Sequence, residues 1–490
     1  EVAPPTSAGR KIDEFTPGPV GEWCLWYMSM GKLSQKIQDA VVVQHGPLGC
    51  DAAVRTFFLE HIGTSWGYGF PHILSTEMKQ GEVVLGGEEK LRKVIIQADR
   101  DYKPSLILVH TNCASGLNMD DVQGVIDSVQ DMVKAKVHFI PSPGFCSCWP
   151  GETMALSLPH YVNLMDPPKN IDPKAVNLVG VIKEVAVIRG KHGEWKPKIP
   201  QDSNPYVEYI ERLGLKFHRA LIGGDYQYLR TGPEAAVNTI QCPAWGYHVA
   251  EEMEKRFGTP YLKHGMAIGV EATVKWIKDL ARFMKVEKEA DNLINEESRK
   301  IKEIMAKAKN IVKGKVALIS GGRNVFSAIT RGLGLARFST ELGMTPYCFN
   351  MGPMQMLVKD KVIRYFAEDG CNPITLLGPH PWHEPVDIFD ILEDLGLKLD
   401  DIVYFPGDVY NYAKGGKFDP ANVPRMDVSQ PFRRIKSAPR SAGFKAAAAM
   451  ARDLIDEVKS ANRNSKWTLY GRIWGEKFDF EIEDKKKIAI

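Results

Sequence analysis

The sequence lacks the patterns that mark several large classes of protein. It has no apolar run of 18 or more residues, and its first residues, EVAPP, show no signal-peptide pattern, so we expect a cytoplasmic protein without a membrane span. The formal net charge of +3 on 490 residues is close to neutral and does not favour nucleic acid or a membrane as a partner. A Walker A motif is also missing, so any ATP hydrolysis must come from a partner protein.

Two common cysteine patterns are missing as well. The 8 cysteines include no CxxC pair, and their distant, irregular spacing is not that of a secreted disulfide framework. Reduced thiols or metal ligands are therefore favoured. The composition, 44% hydrophobic and 25% charged, is ordinary for a globular protein, and 490 residues are too many for one core.

Short apolar runs alternate with helical patterns along the chain. This alternation predicts an α/β fold of three Rossmann-like domains, each with a parallel sheet. The expected divisions are an extended arm over residues 1–20, a first domain over 21–170, a second over 171–310, and a third over 311–490 that includes a C-terminal helix and tail.

Cys50 and Cys113 each follow a strongly apolar run, VVVQ before HGPLGC in the first case and LILVHTN in the second. Runs of this length are typical of buried parallel strands, so both thiols are predicted in the crevice at the carboxyl ends of the strands. With Cys24 upstream, thiols on separate loops suit a large iron–sulfur cluster better than a single zinc ion. The alternative is that each cysteine is a buried apolar residue of the core.

These segments resemble the nitrogenase component 1 family, and in particular its α (D-type) subunit. The resemblance rests on residues 45–50 (HGPLGC), 75–79 (STEMK), 83–87 (VVLGG), and the cysteine and two aspartates of 113–121. It implies the nitrogenase component 1 fold and a P-cluster (8Fe-7S) shared with a β-like (K-type) subunit in an α2β2 complex. Cys24, Cys50 and Cys113 would supply this chain's half of the ligands.

The same resemblance implies a second cluster site. Residues 236–243 (AVNTIQCP) and 251–260 are similar to the segment in which the α subunit's single cysteine binds the active-site cofactor. Cys242 would therefore anchor an 8Fe-9S-C type cluster, in which the presence of a heterometal stays open; the alternative is a core thiol in an apolar strand. Gly321, Gly322 and Arg323 resemble the family's Gly-Gly loop and arginine beside this cofactor, although an ordinary strand-to-helix turn fits them equally.

The chain departs from the nitrogenases near the expected cofactor. Their histidine that binds molybdenum, vanadium or the eighth iron would fall at residues 441–442, which are serine and alanine, and the last histidine of the chain is His383. His380 and His383 could replace it only if their loop folds into the site. The family arginine eight positions after Cys50 is replaced by Phe58.

A second departure concerns the residues that would contact substrate. His160 is a rough counterpart of a family histidine that assists N₂ reduction, although the spacing is not preserved. Cys146 and Cys148 are additions that would line the substrate cavity or pack under Trp149. The candidate catalytic residues are therefore His160 and Arg323, from the resemblance, and the added Cys146 and Cys148.

Together these features imply the catalytic subunit of an ATP-dependent nitrogenase-like reductase acting on a small molecule. A homodimeric ATPase with a 4Fe-4S cluster would deliver electrons through the P-cluster to the cofactor. The nearest kind of enzyme is methylthio-alkane reductase, which cleaves C–S bonds of small thioethers. The alternatives are an α subunit of an alternative nitrogenase reducing N₂, a non-catalytic cofactor-maturation scaffold and, as the weakest fit, a protochlorophyllide-type reductase.

Overall fold

The computed structural model of the chain describes part of its length. The described residues are 29, 37–52, 72–146, 150–180, 186–189, 195–198, 205–320, 332–349, 375–376, 396–398, 401–405 and 442–461.

The first sheet has four parallel strands. They are β1 (Ala40–His45), β2 (His72–Ser75), β3 (Leu106–Thr111) and β4 (Lys136–Ile140). Their order across the sheet is β2-β1-β3-β4, so β2 lies on one side of β1, and β3 and β4 lie on the other. Every residue of β1 and β3 is buried, as expected for central parallel strands covered on both faces.

Helices cover both faces of this sheet. They are α1 (Gln80–Leu85), α2 (Glu88–Tyr102), α3 (Cys113–Asn118), α4 (Val122–Val129) and α5 (Pro150–Val162). Apolar side chains of α2 and α4 pack on one face, against the odd-numbered valines of β1. The opposite face packs against α5 and against residues of the second unit, so the two units share a core.

The second unit is built on a three-stranded parallel sheet in the order β8-β5-β9. Its strands are β5 (Asp172–Val179), β8 (Lys216–Leu221) and β9 (Ala235–Ile240), and an antiparallel pair, β6 (Ala186–Arg189) and β7 (Trp195–Lys198), lies between β5 and β8 in the chain. Its helices are α6 (Pro205–Arg212), α7 (Tyr226–Arg230), α8 (Pro243–Phe257), α9 (Val270–Met284) and α10 (Glu287–Val312). Trp276 of α9 is the largest fully buried side chain of this core.

The third unit contains a parallel sheet in the order β12-β11-β10-β13. The strands are β10 (Val316–Ser320), β11 (Thr345–Phe349), β12 (Thr375–Leu376) and β13 (Ile402–Phe405), and the helices are α11 (Leu333–Glu341) and α12 (Gly443–Ala461). Side chains of α11 and α12 pack against the sheet in one apolar cluster.

The predicted α/β class with parallel sheets is confirmed. The apolar run ALIGG at residues 220–224 predicts a strand, but the strand runs earlier, over Lys216–Leu221. The acidic pair at residues 120–121 predicts the start of a helix, and α4 does begin there, with Asp121 as its N-cap, although the separate helix α3 precedes it. Within the described ranges, no helix is both long and apolar enough to cross a membrane.

Candidate functional site

The structure brings Cys50 and Cys113 together at the carboxyl ends of neighbouring strands. β1 and β3 pair in register, with His45 opposite Thr111. Cys50 lies in a helical segment at residues 48–52, and Cys113 is the first residue of α3. Burial is the main cause that raises the pKa of the Cys50 thiol, and the neighbouring Cys113 raises it further. Cys113 is exposed and Cys50 is half-buried, so this pair opens to the surface.

Asn112 fixes the backbone that carries Cys113. Its Oδ1 atom accepts hydrogen bonds from the backbone N–H groups of Ala114 (2.9 Å) and Ser115 (3.3 Å), which caps the amino end of α3. The Ser115 hydroxyl returns to the end of β1 by donating to the carbonyl oxygen of His45 at 2.6 Å. The Asn112 side chain also lowers the pKa of the Cys50 thiol, in opposition to burial.

A buried histidine–aspartate pair ties the two thiol loops together. His45 Nε2 lies 2.8 Å from Asp120 Oδ2, and the side chains are 0% and 3% exposed. Since a carboxylate can only accept, Nε2 carries the proton, and the Thr76 hydroxyl, which accepts from the Gly46 N–H, faces His45 Nδ1 at 3.2 Å. Burial lowers the pKa of His45, while Asp120 opposes that shift. The pair thus holds a neutral imidazole between the end of β1 and the segment after α3.

Cys242 occupies a different kind of position, because its side chain is only 2% exposed and lies in the apolar cluster shared with α11. It is the residue before α8, whose first turn packs tightly on the end of β5. Gly180 permits this approach: its φ is +75°, and a Cβ atom there would lie 2.4 Å from the Cys242 carbonyl oxygen. The thiol therefore sits at a helix amino terminus, at the carboxyl end of β9.

A second buried histidine supports the strand that leads to Cys242. His264 Nε2 lies 2.8 Å from Thr239 Oγ1 and accepts from the backbone N–H of Ile240 at 3.2 Å. Complete burial lowers the pKa of His264 to about 3, so the ring is neutral. Because Nε2 accepts the backbone hydrogen bond, the ring proton is on Nδ1. This histidine fixes the end of β9 two residues before the thiol.

His160, a predicted catalytic residue, belongs to a cluster of three neutral histidines. His138 Nε2 donates to the His160 carbonyl oxygen at 3.1 Å, and their ring centroids are 6.4 Å apart. Burial, with neighbouring histidines, lowers the pKa of His110 to about 3 and of His138 to about 4, and burial with Arg256 lowers that of His160. Arg256 is at the carboxyl-terminal end of α8.

Arg256, which acts on His160, and Cys242 lie at opposite ends of α8, a helix of 15 residues that spans roughly 22 Å at 1.5 Å per residue. His160 thus has a charged neighbour at the end of α8 that is remote from Cys242. Its catalytic role stays a prediction.

The other predicted site residues are placed only in part. Cys146 is exposed just beyond β4, where its N–H donates to the Pro143 carbonyl oxygen. Cys24, Cys148, Gly321, Gly322 and Arg323, together with Phe58, His380 and His383, lie outside the described residues. Within the described part of the chain, no group of three or more His, Cys, Asp or Glu side chains is arranged to hold a metal ion.

The donor set nevertheless fits half of a shared cluster. The paired thiols are open on one side, and the buried Nδ2 group of Asn112 has no hydrogen-bond partner of normal geometry among the described residues. Cys50 and Cys113 would supply two thiolates, and Cys242 would supply one to a separate cluster. All three ligand assignments remain predictions.

Sequence reasoning missed the polar groups that support these thiols. Asn112 and Ser115 form a capping box, which the NCAS segment could have indicated. Asp120 directly precedes Asp121, the N-cap of α4, and its acceptor role toward His45 has no local signal in the sequence. No local pattern marks His264, because its partners lie on β9, more than 20 residues earlier in the chain.

Comparison with known proteins identifies the family. Residues 30–384 match the model of nitrogenase component 1 type oxidoreductases. The nitrogenase iron-molybdenum cofactor biosynthesis protein NifE of Methanococcus maripaludis is 25% identical over 64% of this chain and 64% of its own length. The nitrogenase molybdenum-iron protein alpha chain of Clostridium pasteurianum is 25% identical over 61% of this chain and 55% of its own length.

The alignment thus spans less than two thirds of the length of these curated relatives. A solved structure of nitrogenase Cp1 at pH 5 has the same fold, with a TM-score of 0.63 at 19% identity over 92% of this chain and 88% of that one. The family match includes the segments that carry Cys50, Cys113 and Cys242. The chain belongs to the nitrogenase component 1 type oxidoreductase family.

Proposed function

We propose that this chain is the α-like, catalytic subunit of a nitrogenase-like reductase with two iron–sulfur sites. One observation carries the proposal: Cys50 and Cys113 lie together at an open surface, whereas Cys242 is buried at a separate helix amino terminus. The open pair, with Cys24, would hold this chain's half of a P-cluster type 8Fe-7S group. Cys242 would anchor an 8Fe-9S-C type cluster. When bound, these groups would supply electron relay and reductive chemistry.

An apolar surface around the open thiols supports a protein partner. Six large apolar side chains lie on or beside α1, α3 and the Cys50 loop, and each is at least half exposed: Leu48, Val84, Leu85, Leu117, Met119 and Phe145. Exposed apolar side chains of this size and grouping are typical of an interface. The occupant we propose is a β-like subunit that supplies the remaining thiolates and completes an α2β2 assembly.

A separate ATPase would provide the energy and the electrons. The full sequence has no Walker A motif, so ATP must be bound elsewhere. The proposed ATPase is a homodimer with its own 4Fe-4S cluster, as the family resemblance implies. The contribution of this chain is to hold the thiolates in place and to exclude water around Cys242.

The proposed reaction is reductive cleavage of a C–S bond in a small methylthio-alkane. Two electrons and two protons would convert the thioether into methanethiol and a hydrocarbon. Support comes from the position where nitrogenases carry a metal-binding histidine. The expected position falls at residues 441–442, of which Ala442 is 2% exposed and pairs through its backbone with Ile268, whose side chain is in the same cluster as Cys242. A buried alanine cannot ligate a heterometal, which favours an all-iron cluster in an apolar pocket.

A second candidate function is a cofactor-maturation scaffold. It is favoured by one observation, the similarity to NifE of Methanococcus maripaludis, which is described as a cofactor biosynthesis protein. A scaffold would hold a cluster precursor at Cys242 and would release it to another protein. It would not turn over a thioether.

Turnover separates the two functions. The chain would be purified with its partner under anaerobic conditions, supplied with the ATPase, ATP and a reductant, and assayed for methanethiol released from ethyl methyl sulfide. ATP-dependent release that is lost in Cys242→Ala supports the reductase. Absence of turnover together with transfer of iron from the chain to a cluster-free acceptor would support the scaffold and overturn the first proposal.

A further inference from the structure

The side-chain amide of Asn112 contains a buried donor without a hydrogen-bond partner. Asn112 is only 1% exposed, and its Nδ2 group makes no hydrogen bond of normal geometry among the described residues. Buried amides are almost always satisfied, because an unmade hydrogen bond costs stability. This exception leaves Nδ2 available to an acceptor beside the amide.

The orientation of the amide is fixed by chemistry. Its oxygen must face the N–H groups of Ala114 and Ser115, since only an acceptor can satisfy those donors. Nδ2 therefore points away from α3, toward the end of β1. A Cβ atom at Gly46 would lie 2.0 Å from Nδ2, so the glycine at this position leaves the space that the amide occupies.

The Asn112 side chain interacts with the Cys50 thiol. Cys113 lies close enough to act on the same thiol. The donor is thus buried, acts on one proposed ligand of the shared cluster, and belongs to the residue directly before the other. The helix cap uses only the oxygen of the amide and leaves the nitrogen for another task.

We propose that Asn112 tunes the cluster held by Cys50 and Cys113, by donating a hydrogen bond from Nδ2 to the Cys50 sulfur when that sulfur ligates iron. The inference rests on the proposed function, because it requires the two thiols to be cluster ligands. A hydrogen bond to a ligand sulfur withdraws electron density and stabilises the reduced cluster. Asn112 therefore raises the reduction potential of the shared cluster and acts as a positioning residue, not a catalytic one.

Two variants remove the donor and keep the helix cap. Asn112→Ser retains a good N-cap oxygen and lacks Nδ2. Asn112→Asp keeps the size and the cap while replacing the donor by a second acceptor, so it guards against a packing defect in the serine variant. Asn118→Ser is the matched control. Asn118 lies at the other end of α3, and its Nδ2 is already bonded to the Glu82 carbonyl and to Asp120.

The test is a redox titration of the complex of this chain with its partner, followed by EPR, with iron counted in each sample. Asn112→Ser is expected to retain iron and to raise the ratio of oxidised to reduced cluster at a fixed potential about tenfold, a negative shift of about 59 mV for one electron. Asn112→Asp should shift further in the same direction, because it adds a negative charge. Asn118→Ser should titrate as the wild type does.

The outcomes separate this inference from the function on which it rests. Unchanged midpoints in both iron-loaded Asn112 variants overturn the tuning role and leave the cluster assignment intact. Loss of iron from both variants, with iron retained in Asn118→Ser, also overturns it, since Asn112 would then hold the cluster and not tune it. If Cys50→Ser leaves the wild-type spectrum and potential unchanged, the proposed function itself fails.

Discussion

Two regions of the chain present a cysteine at the carboxyl end of a parallel strand, in opposite surroundings. Around Cys50 and Cys113, thiols open to a surface with exposed apolar side chains. Cys242 is buried in an apolar cluster. Residue type and strand position are the same in both regions, so the exposure of the thiol to solvent is what distinguishes them. An open pair suits a cluster shared with a partner, and a closed thiol suits a cluster protected from water.

The two regions also use polar support differently. The open site is held by the buried pair of His45 and Asp120, a contact between side chains that links the end of β1 to the segment after α3. The closed site is held through the backbone, by His264 accepting from Ile240 and by the close approach at Gly180. We therefore expect substitutions at the open site to act through lost side-chain hydrogen bonds, and substitutions at the closed site to act through the position of the backbone.

The largest expected effect is loss of the open cluster. Cys113→Ser removes a proposed thiolate ligand from the open site, so the complex of chain and partner should lose the spectrum of the shared cluster and most of the iron assigned to it. Cys146→Ser is the matched control for iron content alone, because it removes an exposed thiol that is not a proposed cluster ligand. Iron analysis and EPR decide the outcome. If Cys113→Ser keeps the same iron content and spectrum as Cys146→Ser, Cys113 is not a ligand of the shared cluster.

The next effect concerns the support of the open site. Asp120→Ala leaves His45 Nε2, the Gly87 N–H and Asn118 Nδ2 without their shared acceptor. We expect the free energy of unfolding to fall by roughly 3 kcal/mol, measured by urea unfolding followed by circular dichroism. Asp101→Ala, which removes an exposed ion pair with Arg100, should change it little. A small effect of Asp120→Ala would show that the pair does not hold the loops together.

Gly180 at the closed site and Gly214 in the turn between α6 and β8 separate backbone strain from steric clash. Gly180 and Gly214 have φ angles of +75° and +73°, but a Cβ atom at Gly214 meets nothing within 4 Å. Gly214→Ala should cost about 1 kcal/mol from its left-handed backbone, and Gly180→Ala about 2 kcal/mol more from contact with the Cys242 carbonyl. The same urea experiment measures both. Equal losses would mean that α8 can move away from β5 without cost.

The smallest effect is a pH dependence that arises at His264. Burial lowers its pKa from 6.5 to about 3, so below pH 6.5 the unfolded chain binds a proton that the folded chain does not. Its contribution to stability is complete above pH 6.5 and declines as the pH falls toward 3, by less than about 1 kcal/mol between pH 7 and 6. In His264→Gln this part of the decline should disappear, as unfolding free energies between pH 7 and 5 would reveal. An unchanged slope would show that His264 has the same pKa in the folded and the unfolded chain.

The sequence predicted the strands that build the open site better than their polar support. VVV and LILV are apolar runs that only covered parallel strands accommodate, and pairing β1 with β3 then brings Cys50 near Cys113. Helix α3 was not predicted, because Gly116, Ser115 and Asn118 are weak helix formers. It forms because Asn112 and Ser115 satisfy its first turn.

The closed site was predictable only through family resemblance. Cys242 follows the apolar strand β9 like many core cysteines, and nothing local distinguishes it. Its burial depends on residues distant in the chain, since the segment around Ile268 and helix α11 close over the thiol. Contacts of this kind depend on tertiary packing, which no periodicity in the sequence records.

The variant Cys242→Ala decides whether the chain carries two separate cluster sites. Iron would be counted and EPR spectra recorded for the wild-type and variant chains, each purified with its partner. We expect the variant to lose the iron and the signal of the closed site while the signal of the open site is unchanged. Retention of both signals, or a wild-type iron content equal to a single 4Fe-4S cluster, would show that the chain does not carry these two cluster sites.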